Sequence, residues 1–311
     1  MVINRDIPIN LVRPDAPITG KVVESTSLTP PSARNYCRHV VIDVEGTPLE
    51  GNFEVGQSFG VIPQWSWKQE DNRLRLYSIA SPALGEYGEG KTIATTVKRI
   101  IGEQKNTHEL FMGTASNYLC DLCEGGDVML TGPTGKQMLL PDPEVRDDMN
   151  YVLVATGTGI APFRGMLMEL MQSGYRGEIH LIFGVPYSTD LYYGDLFAEY
   201  EDRYPNFHFY RAISREDTTP EGHRMYVQHR MEMAWERLGA LLDMENTLLY
   251  ICGMAGMEAG VYQLLLRHGL YRYFRNLPED FTDGTSPTSL ETGELGRILR
   301  PNPLHMRVEV Y

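Results

Sequence analysis

The chain has 311 residues, enough to bury a large core, and its length favours two domains over one. Lys and Arg total 28 against 41 Asp and Glu, a net charge of -13, which disfavours a surface that binds nucleic-acid phosphates. No apolar run has the length of a membrane-spanning helix, and the first residues lack the basic start and apolar block of a secretory signal, so stable membrane insertion is not expected.

Cys37, Cys120, Cys123 and Cys252 fit a reducing compartment better than a disulfide framework, and a cytoplasmic protein is expected. Cys120 and Cys123 form a C-x-x-C, but no second Cys or His pair stands at zinc spacing, so no metal site is expected.

Residues 1–17 read as an extended arm, because Pro8, Pro14 and Pro17 interrupt any helix. The runs GKVVEST, RHVVIDVEG, QSFGVIP, LRLYSIASP, TIATTVKRII and DVMLTGP then alternate as strands do, separated by Gly and Pro turns. Residues 18–148 therefore read as a small antiparallel β-barrel. Pro141, Asp142, Pro143 and the polar run to Asn150 read as a linker.

The segment Tyr151 to Gly174 passes from an apolar strand to a glycine turn and then to helical periodicity. Gly157 and Gly159 allow a tight turn with no Cβ in a ligand's way. Pro162 suits a first helical turn, and Phe163, Met166, Leu167, Leu170 and Met171 recur at helical spacing until Gly174. Amides at such a helix start can hold a pyrophosphate, although glycine turns also join strands to helices that bind nothing.

Strands are expected at 178–185, 207–213 and 247–253, with helices at 196–204, 224–242 and 257–268. This alternation across 149–311 predicts a doubly wound parallel sheet with ligands at the carboxyl ends of its strands. The segment 280–302, rich in Thr, Ser, Gly, Pro and acids, reads as a long loop before the closing RVEVY.

Three clusters could carry chemistry. On one predicted strand Arg75 and Tyr77 share a face and Ser78 lies on the other, a pattern that also suits an ordinary barrel strand. Ser116 could cap a helix starting at Asn117 and gather amides for an anion, or serve only as a cap. Ser214, Arg215, Arg224 and Tyr226 crowd one loop, as a 2′-phosphate would need, or form a solvated basic loop.

Taken in order, RLYSIASP, SNYLCDL, LTGPTGKQMLLP, GTGIAPFR, the SRE and RMY pair, YICGMAGME and terminal VEVY closely resemble the plant-type ferredoxin-NADP⁺ reductases. The resemblance implies an FAD-binding barrel followed by an NADP(H)-binding domain, with ferredoxin or flavodoxin as the electron partner, and a monomer is expected. It assigns Arg75 to the FAD pyrophosphate, Tyr77 to the ribityl side, Ser78 to the flavin N5 region, and Thr114, Ala115 and Ser116 to FAD phosphate. Ser214, Arg215, Arg224, Tyr226 and Gln228 match the 2′-phosphate site, and Thr158 and Gly159 the nicotinamide nucleotide path. Lys98 and Arg99 match a basic pair that contacts NADP phosphate or the acceptor.

By the same resemblance Tyr311 covers the flavin and must yield to nicotinamide, which makes strong binding depend on the 2′-phosphate. Cys252 stands beside the nicotinamide, and Glu309 with Ser78 forms a proton relay. Where plant enzymes carry a tyrosine that stacks on the FAD adenine, this chain has Gly102. An acidic ferredoxin would need a local basic patch, for which Lys68, Arg73, Lys98, Arg99, Arg297 and Arg300 are available. Two other readings are the reductase component of an oxygenase such as a benzoyl-CoA epoxidase system, and a nucleotide-sensing module. The chain has too few cysteines for the iron-sulfur domain of the first, and retention of Ser78, Cys252, Glu309 and Tyr311 speaks against the second.

Overall fold

The computed structural model describes residues 6–64, 73–104, 106–277, 295 and 298–311; Lys68, Arg297 and most of the loop expected at 280–302 lie outside them. The chain forms two compact units, Arg5–Leu140 with Ala161–Gly174, and Pro141–Ile160 with Tyr175–Tyr311.

The first unit contains β1 (Ile18–Ser27), β2 (Cys37–Asp43), β3 (Ser58–Ile62), β4 (Arg75–Ser78), β5 (Thr92–Lys98), the hairpin β6 (Ile101–Glu103) and β7 (Leu110–Met112), helix α1 (Thr114–Asp121) and β8 (Asp127–Thr134). Six strands pair antiparallel in the order β4-β3-β8-β1-β2-β5. Val40 and Ile42, Phe59 and Val61, and Val128 and Leu130 alternate inward at the two-residue period of a strand and are fully buried. Each such side chain contributes roughly 1.5–3 kcal/mol relative to exposure.

The two edge strands meet. The Ala80 N–H donates to Ala94 O at 2.7 Å and Thr95 Oγ1 to Ser78 O at 2.9 Å. The antiparallel sheet is thus curled as the barrel reading requires, although no ladder joins β4 to β5 among the described residues. The arm is no loose extension where it is described: Ile7 and Val12 are buried, and Val12 exchanges backbone hydrogen bonds with Gly132 at 2.9 Å.

The second unit holds α2 (Pro143–Arg146), β9 (Asn150–Thr156), β10 (Ile179–Val185), α4 (Gly194–Arg203), β11 (Phe207–Ile213), α5 (Val227–Met233), α6 (Trp235–Leu242), β12 (Thr247–Gly253), α7 (Met257–Arg267) and β13 (Met306–Val310). Helix α3 (Ile160–Gln172) follows β9 in sequence, but from Ala161 onward it belongs to the first unit. Five strands pair in parallel in the order β11-β10-β9-β12-β13, so the topological switch point lies between β9 and β12. Every residue of β10 and β12 is buried, His180 and Thr247 included, as expected of strands covered on both faces of a parallel sheet.

Two expectations need correction, and the linker gains detail. The single helix expected over 224–242 is two: Tyr226 is extended and starts α5 through a reciprocal cap with His229, and the chain bends at Ala234 before Trp235, whose ring stacks on His268 at 3.7 Å. The linker expected at 141–150 contains α2, with Pro143 at its start and Arg146 buried against Pro141 O. Ser116 does not cap a helix beginning at Asn117. Helix α1 begins at Thr114 after the extended Gly113, and Ser116 lies within it, its hydroxyl donating back to Gly113 O at 3.2 Å.

Candidate functional site

In the first unit, Arg75, Tyr77 and Ser78 lie along β4. The Arg75 guanidinium donates to the carbonyls of Arg73 and Leu74 at 3.1 and 3.2 Å, which fixes its stem at the strand's start. Ser78 and Tyr77 are half-buried, and burial pushes the Tyr77 phenol above its ordinary range, so it stays a neutral hydrogen-bonding group.

Helix α1 carries Thr114, Ala115 and Ser116 in its first turn, and no acidic residue competes there with an anion. The turn is tied to the end of β5. Ile100 N–H donates to Ser116 Oγ at 3.3 Å, and Asn117 Nδ2 donates to Ile100 O at 2.9 Å. Arg99 is committed to this joint through Asn117 Oδ1 at 3.0 Å and an ion pair with Asp121. Lys98, paired opposite Cys37, ends β5 half-buried.

Gly102 has an aromatic partner that motif reading misses. On the β6-β7 hairpin it pairs with Phe111, and a Cβ at Gly102 would stand 2.5 Å from the Phe111 ring. The ring therefore covers the glycine from the neighbouring strand. No motif signals this residue, because only the hairpin register brings it to Gly102.

Helix α3 contributes Arg164, also missed. Its Nη1 donates to Ala80 O at 3.0 Å and Glu86 Oε2 at 2.8 Å, and its Nη2 donates to Glu86 Oε1 at 2.5 Å. His39 Nε2 stands 3.5 Å from the same carboxylate. Burial alone would raise the Glu86 carboxyl, but hydrogen bonds from His39 and Arg164 outweigh it and hold the group at about 2. The helix also passes close to the strand exit, since a Cβ at Gly165 would stand 2.5 Å from Ser81 O. The segment that follows Ser78 is thus clamped by a buried charge pair.

In the second unit the predicted residues gather at the carboxyl ends of the strands. Gly157 takes a positive φ of 53°, opening a short 3-10 turn to Gly159. Gly159 is obligatory for packing: a Cβ there would lie 2.2 Å from Cys252 O at the end of β12. Thr156, a residue the sequence reading passed over, stitches the two strand ends by accepting the Met254 N–H at 3.0 Å. Its place just before the glycine turn was the available signal.

Cys252 is fully buried and stands in register opposite Glu309 of β13. Burial pushes its thiol up, with a smaller contribution from the Glu309 charge, and burial also raises the Glu309 carboxyl. Tyr311 closes the chain in a fixed place. Its N–H donates to Gly253 O and its carbonyl accepts from Ala255 N–H, both at 3.0 Å, and its hydroxyl lies 2.9 Å from Thr158 Oγ1.

Ser214 and Arg215 follow β11, anchored by their N–H groups to Val185 O and Pro186 O at 2.9 Å. The loop then doubles back through a bridge between Thr218 and Arg224, returning Arg224 and Tyr226 toward the start of α5. Arg215, Arg224 and Tyr226 are exposed, as donors to a phosphate must be. Gln228, in the first turn of α5, packs against Gly260 of α7, where a Cβ would come within 2.7 Å of its amide carbon.

An oxidoreductase NAD-binding domain family model matches residues 153–263. The ferredoxin-NADP reductase of Spirulina sp. is 38% identical over 263 residues, covering 82% of this chain and 88% of that protein. That of Synechocystis sp. is 40% identical over 263 residues, covering 82% of this chain and 62% of the longer relative. Among solved structures, the ferredoxin-NADP⁺ reductase from Plasmodium falciparum superposes with a TM-score of 0.72 at 24% identity, covering 98% of this chain and 100% of that one. The same reductase solved with 2′P-AMP gives a TM-score of 0.69 at 24% identity over 84% and 97% of the two chains. These structures share the fold of this protein, and the sequence relatives decide the lineage: the chain belongs to the ferredoxin-NADP reductase family.

Proposed function

We propose that the protein is an FAD-dependent reductase that exchanges hydride with NADP(H) and single electrons with ferredoxin. One observation carries the reading furthest. At the carboxyl ends of β9, β11 and β12, a glycine turn without a Cβ to block a ligand, an arginine-bearing loop and a buried cysteine belong to one parallel sheet, in a chain of this family. The oxygenase-component reading has no comparable support, since the relatives are named as ferredoxin-NADP reductases.

FAD supplies the conversion between two-electron and one-electron chemistry. Arg75 and the first turn of α1, at Thr114, Ala115 and Ser116, would hold its phosphates, while Tyr77 and Ser78 meet the ribityl and ring portions. Phe111 would offer the aromatic face that Gly102 lacks. For NADP(H), Ser214, Arg215, Arg224, Tyr226 and Gln228 would hold the 2′-phosphate, Lys98 would offer a further cation, and Thr158 and Gly159 would line the path of the nicotinamide nucleotide. A 2′-phosphate suits this loop because guanidinium donors make charge-assisted, geometrically matched bonds to it.

Tyr311 would have to give way to the nicotinamide, a cost that the 2′-phosphate contacts would offset. Cys252, held as a neutral thiol by burial, would offer an uncharged neighbour to the nicotinamide. Glu309 and Ser78, each in its own unit, would be the groups able to hold a mobile proton. Flavodoxin as a second electron partner, a monomeric state and a cytoplasmic setting belong to the same proposal, the last supported by four cysteines that form no disulfide with one another.

The test is direct. The purified protein is expected to show a flavin spectrum, to be reduced faster by NADPH than by NADH, and to pass electrons to ferricyanide and to a plant-type ferredoxin. A colourless protein, or one that reduces ferricyanide but no ferredoxin or flavodoxin, overturns the assignment.

A further inference from the structure

We propose that Glu178, His180 and His208 form a binding site for a divalent transition-metal ion of the zinc class, at the amino ends of β10 and β11. The strand register creates it. β10 and β11 run parallel with His180 directly opposite His208, and residues two apart share a face. His180 on β10 therefore faces the same way as His208 and Tyr210 on β11, and Glu178, just before β10, brings its carboxylate to both imidazoles.

The distances suit an ion. Glu178 Oε2 lies 3.5 Å from His180 Nε2 and 3.3 Å from His208 Nε2, and one ligand atom from each residue can be chosen so that all three lie within 4.8 Å of one another. Around a tetrahedral ion with bonds of about 2.0–2.1 Å, ligand atoms sit about 3.4 Å apart, so two of the three edges already have the needed length. The imidazole rings stand 4.6 Å apart between centroids. Glu178 and His208 are only partly buried and can supply the remaining adjustment, while His180 is buried.

The surroundings resemble a supported ligand set. His180 Nδ1 lies 3.1 Å from the Tyr210 hydroxyl. With Nδ1 donating to that oxygen, Nε2 keeps its lone pair on the side of Glu178, which is how an outer hydrogen bond fixes the tautomer of a ligating imidazole. Two imidazoles and one carboxylate select zinc, cobalt or nickel over magnesium or calcium and leave a fourth position for water. Arg237 opposes the site, with Nη1 3.2 Å from His208 Nδ1 and 3.4 Å from His208 Nε2. It competes with a cation for the same imidazole and must swing away when the ion binds.

This cluster lies about five strand residues, roughly 16 Å, from the carboxyl end of β10, so it is separate from the nucleotide loops. Its effect would be to staple an edge strand to its neighbour. The test uses the tag-free, flavin-loaded chain after chelator treatment, titrated with Co²⁺ and followed by ligand-field absorption, and with Zn²⁺ by calorimetry.

The expected result is one ion per chain at micromolar affinity, with an unfolding temperature that rises with Zn²⁺ concentration. Glu178→Gln and His208→Gln should each weaken binding at least tenfold, and Arg237→Gln should tighten it severalfold. NADPH-ferricyanide turnover should stay unchanged in all three variants. No uptake at millimolar ion, equal affinity in Glu178→Gln or His208→Gln, or loss of binding in Arg237→Gln would overturn the site.

Discussion

The Tyr311 hydroxyl lies 2.9 Å from Thr158 Oγ1, bonding the last residue of the chain to the middle of the glycine turn after β9. Both backbone groups of Tyr311 are bonded at the end of β12, to Gly253 and Ala255, so the residue is held at its backbone as well as at its hydroxyl. A neutral hydrogen bond of this kind is worth about 0.5–1.5 kcal/mol. Tyr311→Phe should therefore change coenzyme kinetics by a few-fold at most. Tyr311→Ser, which removes the ring, should raise kcat/KM for NADH relative to NADPH about tenfold or more. Steady-state kinetics with both coenzymes decides it, and an unchanged ratio contradicts displacement.

Arg215 and Arg224 reach solvent from opposite arms of one loop. A hydrogen bond from a charged donor contributes about 1.5–3 kcal/mol, roughly 10- to 100-fold in affinity. Arg215→Ala and Arg224→Ala should each lower kcat/KM for NADPH by that factor and leave NADH use within about twofold. Equal losses with both coenzymes would argue against a 2′-phosphate site.

The Glu86 carboxylate makes an acid-sensitive clamp. Its folded value of about 2 lies below the ordinary 4.5, so the stability it contributes is present above about pH 4.5 and is lost as pH falls toward 2. The linkage amounts to a few kcal/mol. Denaturant unfolding of the wild type should weaken steeply across that window, and Glu86→Gln should flatten the dependence. Arg164→Ala, which strands a buried carboxylate, should destabilise by about 3–5 kcal/mol at neutral pH. A variant as stable as the wild type would show that the pair does not hold α3 to its unit.

Glu309 carries the opposite sign. Burial raises its folded value, so the charged form costs stability, and that cost appears as pH rises through the folded value. Glu309→Gln should raise the unfolding temperature at pH 7 and change it little at pH 4, while slowing turnover if the carboxyl handles a proton. A variant less stable at neutral pH than the wild type would contradict this account.

Phe111 should matter to FAD despite belonging to no motif. Phe111→Ala uncovers Gly102 and removes the hairpin's aromatic face. FAD release in a fluorescence titration should become about 5- to 100-fold easier, the range for losing one stacked base. Unaltered FAD affinity would place the adenine elsewhere.

The local signals in the sequence specified much of this molecule. Alternation located the paired barrel strands, an unbroken apolar run located β9, strand-helix alternation located β10 and β12, and the glycine turn located the switch-point end of β9, because each depends only on neighbours in the chain. Distinct short motifs in a fixed order also sufficed to place the chain in its family.

What the sequence could not settle by itself depends on partners far away in it. Arg164 and Glu86 are 78 residues apart, and their bond draws α3 to the first unit although the chain enters it from β9. The helix expected over 224–242 is broken at Ala234, and the Trp235 that follows stacks on His268 of a distant segment. Phe111 meets Gly102, and His180 meets His208, only through strand register. Local periodicity states which face a side chain takes, but the neighbour on that face is chosen by long-range pairing, and there the fold completes each site.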